Sequence, residues 1–455
     1  MKTHQLILLT TVLFVTLFYG EDMGLNFGIL GISYALLTLF RTPESIRSRP
    51  FLILFVLSIL SSVAFAWYGD FASFLAVFTS LALLTFSSRD HRLKSLFVIP
   101  VFAVNFITFI YRVFQFGEWL PTVNTSLAFK RLIAVILIPA FFILAFFGIY
   151  SLGSTHFAGI FDNWQWDFDV WQFIALSVLG FFVAFNFWNY KIDNFFPAWN
   201  NYLKNDFDAD QQAQKPTSSF LGIDSERTSG VISFAALNLL LLIFIVTFNF
   251  EQFFETSTSA SELSSETHDR VNAVILSIVM AVVVIMFYFK GSFNFDQKAR
   301  PLKLLAQIWL TLNMILVISA IIKNSEYILN LGLTYKRLGV YAFLVLCIIG
   351  LSLTFIKIRK QKTNAFLFNH MAWYFYGTVL IAAFINWGYL ATSYNINNNK
   401  GNFNFHQSMN YNEDLLFEKY PEEVRKSMIP HEIRWEQDKT FLSSILYYKT
   451  LNFDK

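Results

Sequence analysis

Residues able to do chemistry are few and scattered in this sequence. The seven histidines, His4, His91, His156, His268, His370, His406 and His431, include no pair at ligand spacing. No glycine-rich loop ends in Lys-Ser or Lys-Thr, and neither His-Glu-x-x-His nor Gly-x-Ser-x-Gly occurs. The one cysteine, Cys347, lies inside an apolar run, which rules out an intramolecular disulfide and a thiolate metal cage. The expectation is a chain that is not an enzyme and uses no cofactor or metal.

Four groups of polar residues still invite a functional reading. Lys323, Asn324, Tyr335, Lys336 and Arg337, with Glu326, gather cations between two apolar runs. Such a set suits an anion or a lipid headgroup, and the plainer reading is interfacial anchoring by snorkelling side chains. Asn238, Gln307, Asn313 and Ser319, with Thr311, lie within apolar runs. Amides in hydrocarbon need partners, so helix–helix hydrogen bonds are expected, with a solute path as the alternative. Lys290, Lys298, Arg300 and Lys303 form a basic loop that could touch anionic lipid or simply set orientation. Asp162, Asp167 and Asp169 accompany Trp164, Trp166 and Trp171. That pattern fits an aromatic belt at a membrane edge better than a cation site.

The elements that must position these residues are apolar. Of 455 residues, 55% are hydrophobic and only 14% charged. Soluble domains carry roughly 25% charged residues. The 34 basic and 31 acidic residues give a net charge of +3, which is no footprint for nucleic acid. The 55 phenylalanines read as lipid-facing filler. Apolar runs recur at Gln5–Tyr19, Gly24–Phe40, Phe51–Trp67, Phe71–Phe86, Leu96–Tyr111, Leu132–Leu152 and Val170–Trp188. They continue at Val231–Phe250, Val271–Phe289, Leu304–Ile322, Leu338–Ile356 and Ala365–Leu390. Backbone in hydrocarbon must satisfy its own hydrogen bonds, so these runs are expected to be helices. The first run lacks a small-x-small cleavage pattern and reads as a retained signal-anchor.

Basic loops set the expected orientation. Arg41, Arg47 and Arg49, then Arg89, Arg92 and Lys94, then Lys290 to Lys303, then Lys357 to Lys362 should all be cytoplasmic. Glu21, Asp22, Asp70 and the loop Glu251 to Asp269 should face outward, as should the more basic loop Lys323 to Arg337. Leu96–Tyr111 would invert this parity if it crossed. It is short, contains Pro100 and Asn105, and has Lys94 and Arg112 at its ends. It is expected to be re-entrant or interfacial. The fold class is therefore all-α, a polytopic transmembrane bundle of about eleven spanning helices plus that segment. Residues 1–190 form an N-terminal membrane half, 191–230 a cytoplasmic polar loop, 231–391 a C-terminal membrane half and 392–455 an extracytoplasmic tail. In the tail, Asn395 to Asn404 reads as flexible, Pro421 to Met428 as a short helix stopped by Pro430, and Ser443 to Tyr448 as a second. So small a segment is expected to dock on the membrane domain or on a partner.

Several local patterns in the second half carry a family resemblance. They are Ser229-Gly230-Val231-Ile232 with Asn238, Phe289-Lys290-Gly291, Asn294-Phe295, Trp309 with Asn313, and Lys323-Asn324. Tyr327-Ile328, Gly332-Leu333, Tyr335-Lys336-Arg337-Leu338-Gly339-Val340 and Asn386-Trp387 complete the set. Over about Ser229–Tyr394 the chain resembles a bacterial multi-pass membrane family known as domain of unknown function 4153/4173. The resemblance implies a bacterial inner-membrane protein and no particular reaction. Lys290 and Lys323 stand where arginine is more usual, and Asp296 where an aromatic is. Charge survives the first two changes, and bidentate recognition does not.

Two classes of function follow. The leading expectation is a non-enzymatic inner-membrane component: a sensor, scaffold or partner subunit of an envelope system, in contact with lipids and meeting an envelope protein through its tail. The competing expectation is a transporter or flippase for an anionic or lipid-like solute. A water-accessible cavity reaching Asn313 and Lys323 from one side would favour transport, although intramembrane carboxylates and repeat symmetry are lacking.

Overall fold

The structure, a computed structural model, describes residues 1–89, 93–120, 138–154, 168–212, 222–254 and 260–452, with 135 and 157. No β-strand occurs among them, and Asp206 and Lys362 form an isolated bridge. The apolar runs are helices: α1 (Thr3–Phe18), α2 (Leu25–Arg41), α3 (Arg49–Tyr68) and α4 (Phe71–Ser87). Next come α5 (Val98–Ile107), α6 (Phe109–Val113), α7 (Phe116–Trp119), α8 (Ile138–Gly153), α9 (Val170–Trp188) and α10 (Phe195–Asn200). The second half holds α11 (Ile223–Phe254), α12 (Ala260–Tyr288), α13 (Arg300–Leu331), α14 (Tyr335–Arg359) and α15 (Asn364–Phe384). The tail adds α16 (Trp387–Asn397), α17 (Phe403–Gln407), α18 (Glu413–Lys419), α19 (Pro421–Lys426), α20 (Ile429–Asp438) and α21 (Leu446–Thr450).

Five described helices are long and apolar enough to cross a membrane: Arg49–Tyr68, Val170–Trp188, Ile223–Glu251, Gln297–Leu331 and Tyr335–Arg359. The pair Asn364–Phe384 and Trp387–Asn397, bent by 67°, makes a sixth if it is one broken span. Thr3–Phe18, Leu25–Arg41, Phe71–Ser87 and Asn272–Tyr288 are shorter apolar helices. The 16 residues of α1 reach only about 24 Å, less than a hydrocarbon core of roughly 30 Å. Loop residues or local thinning of the bilayer must cover the difference. The chain is a membrane protein with an all-α bundle.

Small residues let the first four helices approach closely. A Cβ on Gly31 would lie 2.4 Å from Ser62 Oγ. Ser61 Oγ pairs with Ser80 Oγ at 3.2 Å, and Ser80 Oγ with the Tyr376 hydroxyl at 2.8 Å, joining α3 and α4 to α15. The second half packs around α13, whose Ala306, Leu310, Leu316 and Val317 are fully buried.

The bundle has two chemically distinct ends. At one, Arg41 Nη2 donates to Thr3 Oγ1 at 2.9 Å, Lys94 N to Asn200 Oδ1 at 3.1 Å, and Thr363 Oγ1 to Lys204 O at 2.6 Å. Arg227 pairs with Asp296 at 2.8 Å there. The basic loops therefore share this arginine end. Lys94 and Arg112, flanking Leu96–Tyr111, both lie at it. The ten residues of α5 span about 15 Å, and Asn105 Nδ2 donates to Lys191 O at 2.8 Å.

The other end carries the tail. Leu25 N donates to Ser444 O at 3.0 Å and Asn26 N to Leu442 O at 2.9 Å. The Tyr411 hydroxyl donates to Tyr68 O, and Asn386 Nδ2 to Tyr411 O at 2.8 Å. A Cβ on Gly388 would fall 1.8 Å from Asn410 O, so only glycine permits this contact. Leu416, Val424, Ile429, Ile433 and Tyr447 form a small core within the tail. Two expectations need correction. Asn395 is not in a flexible tract: it is fully buried in α16, and its amide accepts from Leu333 N at 2.6 Å and donates to Leu333 O at 2.9 Å. Pro430 does not stop a helix. It stands in the first turn of α20, where its missing N–H is harmless.

Candidate lipid site

A cavity of about 450 Å³ lies among α1, α2, α4, α5 and α9, walled by residues such as Phe14, Leu30, Phe78, Phe102, Leu179 and Val183. Phe78 and Leu179, 47% and 49% exposed, bring its rim to the lipid-facing surface. Large apolar cavities stay dry and accept apolar guests. One wall reaches the arginine end through aromatic contacts. The Tyr34 ring stacks 5.7 Å from Trp188, Phe187 meets Trp188 edge-on at 4.8 Å, and Phe102 lies 5.1 Å from Tyr190.

Directly beyond that aromatic layer, three arginines from three separate segments converge on the C-terminus of α9. Arg41 Nη1 donates to Trp188 O at 3.2 Å. Arg89 donates to Trp188 O and, at 2.6 Å, to Tyr190 O. Arg112 donates to Asn189 O, to Asn105 O at 3.2 Å and to Asn186 Oδ1 at 3.2 Å. Their guanidinium carbons lie over aromatic rings: Arg41 over Trp188 at 5.6 Å, Arg89 over Tyr190 at 4.1 Å, Arg112 over Phe185 at 5.1 Å. The negative end of a helix dipole, worth roughly half a charge, favours cations here but cannot balance three. Arg112 is 4% exposed, and its Nε has no hydrogen-bond partner. Burial, and then the neighbouring Arg89, lowers its pKa to about 10, so it stays charged at neutral pH. Two carboxylates act on it from nearby, Asp193 and then Glu118, and Glu118 is already taken by Lys191.

The groups singled out from sequence are differently engaged. Lys323 is 4% exposed and pairs with Glu326 at 3.2 Å. Asn324 Nδ2 donates to Arg337 O at 3.2 Å. Arg337 Nη1 donates to Leu331 O at 2.9 Å and to Gly332 O, and its guanidinium lies 4.0 Å over Tyr327. It thus closes the C-terminus of α13. The Tyr335 hydroxyl accepts from Asn410 N at 3.1 Å, which ties it to the tail. Lys336 is exposed. The five residues share one corner, but two of the three cations face inward.

Asn238 Nδ2 donates to Leu305 O at 3.0 Å, joining α11 to α13. Asn313, fully buried, donates to Trp309 O at 2.8 Å within its own helix. Ser319 is buried and Gln307 half-buried, its carbonyl oxygen accepting from Thr311 Oγ1 at 3.0 Å. In the inner loop, Lys303 Nζ donates to Asn294 O at 2.6 Å, and Lys290 lies 5.3 Å over Phe287. Lys298 and Arg300 are exposed. Sequence reasoning missed Lys357, fully buried with Nζ 2.9 Å from Phe289 O. Asp162, Trp164, Trp166 and Asp167 lie outside the described residues. Asp169 caps α9, accepting from Trp171 N at 2.9 Å.

The family model for DUF4153, a domain of unknown function, matches residues 50–425. The chain belongs to that family. The match starts inside the first half, well ahead of the region whose motifs carry the resemblance. It takes in Arg89 and Arg112 and leaves out the first two helices, α1 and α2, and the last two, α20 and α21. No curated protein and no solved structure matches the chain.

Proposed function

We propose that this DUF4153 protein is a non-enzymatic inner-membrane component, a sensor or partner subunit of a bacterial envelope system, that holds an anionic lipid. The observation that carries the reading is the convergence of Arg41, Arg89 and Arg112 one aromatic layer from a lipid-facing apolar cavity. The cavity accepts a hydrocarbon chain. The arginines attract the phosphate of the same lipid at the bilayer edge, where guanidinium groups suit phosphate oxygens. The positive-inside rule places this end in the cytoplasm, with the tail outside. A transporter reading gains less support, because Asn313 and Lys323, its expected path, are 0% and 4% exposed in a packed core.

The test is native mass spectrometry of lipids retained by the full chain after purification in mild detergent. Wild type should retain phosphatidylglycerol or cardiolipin over phosphatidylethanolamine. Arg89→Gln should reduce that preference, and Ala82→Phe, which fills the cavity, should release the lipid. Equal retention of anionic and zwitterionic lipid by wild type would overturn the reading.

A further inference from the structure

The stretch after α9 reads as a polar loop, yet its first turns carry Phe195, Phe196, Trp199 and Tyr202. The structure folds them into α10 and a following 3-10 turn, Asn201–Leu203, with helical backbone angles at Asn200 and Asn201 across the join. Phe195, Ala198, Trp199 and Tyr202 therefore recur at i, i+3, i+4 and i+7, on one face. That face points away from the protein. Trp199 is 59% and Tyr202 78% exposed, and Phe195 and Ala198 are exposed as well. The opposite face is the one that packs: Phe196 is buried and meets the Phe97 ring at 5.6 Å.

Hydrogen bonds fix the segment in this attitude. Lys94 N donates to Asn200 Oδ1 at 3.1 Å, and Asn369 Nδ2 to Leu203 O at 2.9 Å. Thr363 donates through Oγ1 to Lys204 O at 2.6 Å and through N to Asn205 O at 3.1 Å. The aromatic face cannot turn inward without breaking these contacts. Single exposed apolar residues are ordinary, but a whole aromatic face aimed outward from a docked segment requires a cover. The adjoining surface shows what the cover is. An apolar cleft of about 300 Å³ runs between this face and the start of α5, walled by Leu96, Phe97, Pro100, Trp199, Tyr202 and Leu203. From Pro100 the outward side of α5 and α6 continues through Ile99, Ala103, Phe106, Ile107 and Ile110, all exposed and none polar. In a membrane protein such a strip faces hydrocarbon, and the aromatic face continues it at the arginine end. Trp and Tyr gather where hydrocarbon meets the headgroups.

We propose that residues 195–202 seat on the bilayer, with the aromatic rings in the headgroup–acyl boundary of the leaflet at the arginine end and phospholipid chains filling the cleft. Interfacial segments of this kind bury their apolar face by about 5–10 Å. Asn194, Asn201 and Lys204, exposed beside the face, stay among the headgroups. The segment is bonded to the entry of α5 in the first half and to the start of α15 in the second, so its seat sets the depth of both halves together. The surface is separate from the larger cavity and stands whether or not that cavity holds lipid.

Nitroxide labels on the full chain, in nanodiscs of phosphatidylethanolamine and phosphatidylglycerol, test this. Trp199→Cys, Tyr202→Cys, Ile107→Cys and Glu422→Cys are made singly in a Cys347→Ala background, all at exposed positions. Ile107, on the apolar strip, is the hydrocarbon reference, and Glu422, in the tail, the aqueous one. Oxygen dissolves in hydrocarbon and a nickel chelate in water, so the ratio of their collision rates with the label reads depth. The labels at Trp199→Cys and Tyr202→Cys should give ratios shifted well away from that of Glu422→Cys and toward that of Ile107→Cys. Ratios equal to that of Glu422→Cys would overturn the proposal. Low collision with both reagents, the sign of a protein cover such as a second copy, would overturn it as well.

Discussion

Arg337 separates two accounts of the most basic corner on the tail side. As an anion receptor it would work through charge, and lysine would largely replace it. The structure gives it another task. The last carbonyls of α13 have no intrahelical partner, and Arg337 reaches Leu331 O at 2.9 Å and Gly332 O while covering Tyr327 at 4.0 Å. A hydrogen bond to a charged group is worth about 1.5–3 kcal/mol, and a desolvated cation–π contact about 2 kcal/mol. One nitrogen serves both carbonyls, so the bonds do not add fully, and Arg337→Met should cost about 3–4 kcal/mol. Arg337→Lys keeps the charge but loses the planar fork, and should recover only about 1 kcal/mol of that. The chain supplies its own reporter: Cys347, its sole cysteine, is 8% exposed midway along α14, the helix that Arg337 begins. A thiol-reactive dye that fluoresces on modification gives the unfolding midpoint in detergent. The expected order is wild type, then Arg337→Lys, then Arg337→Met, with lysine nearer methionine. Lysine matching wild type, or methionine unfolding normally while shedding a bound anionic lipid, would refute the capping account and restore the receptor.

The remaining predictions concern docking, pH and topology. Gly388→Ala places a Cβ 1.8 Å from Asn410 O and should release the tail, read as faster proteolysis between α16 and α18 while the Cys347 midpoint holds. Burial lowers the His406 pKa below its ordinary 6.5, with Lys400 O at 2.9 Å and the Tyr420 hydroxyl at 3.1 Å on its two nitrogens. The folded tail therefore prefers neutral His406, and this contribution is lost as pH falls from 6.5 through the lowered value. Glu413 acts in the opposite sense. Its pKa is raised from 4.5 by burial, so its contribution is full below 4.5 and is lost as pH rises through the raised value. Hydrogen exchange of α18 should show that loss in wild type, and Glu413→Gln should remove it. Cysteines placed at Lys94 and Glu118 in a Cys347→Ala background should label from one side of sealed vesicles. Labelling from opposite sides would mean that the segment crosses.

The apolar runs and their helical state were legible because hydrocarbon leaves the backbone no alternative. For Leu96–Tyr111 charge parity led to the expectation of a re-entrant segment, and Lys94 bonded to Asn200 with Arg112 bonded to Asn186 is the contact pattern that the labelling experiment tests. The arginine cluster was not legible as a site. Arg41, Arg89 and Arg112 sit in three separate segments, and each alone looks like an orientation signal. Only a packing that brings the C-termini of α2, α4 and α9 to one end of the bundle sets them side by side. The burial of Asn395 escaped notice for a similar reason. An Asn-rich string reads as loop until the Gly332–Leu333 turn appears opposite it with a backbone N–H and C=O to satisfy.

The contrast between the two cationic regions follows from where each finds its acceptors. Lys323, Arg337, Lys303 and Lys357 are on helices whose neighbours end or turn beside them, so carbonyls or a carboxylate lie within reach: Glu326, Leu331 O, Asn294 O and Phe289 O. A buried charge with such partners has little capacity left for a ligand. At the arginine end the balance differs. Three guanidiniums share the terminal carbonyls of one helix, Arg112 keeps an unpartnered N–H, and of the two carboxylates near it, Asp193 and Glu118, the second is already held by Lys191. The surplus of donors there, next to a cavity that only hydrocarbon would fill, makes that end the more chemically incomplete of the two. An anionic lipid supplies both missing parts, acceptor oxygens and a chain, in one molecule. Free phosphate would answer the arginines and leave the cavity empty, and a neutral lipid would do the reverse. Lipid retention that falls with Ala82→Phe as well as with Arg89→Gln is therefore the signature to expect, and loss with only one of them would break the link between cavity and cluster.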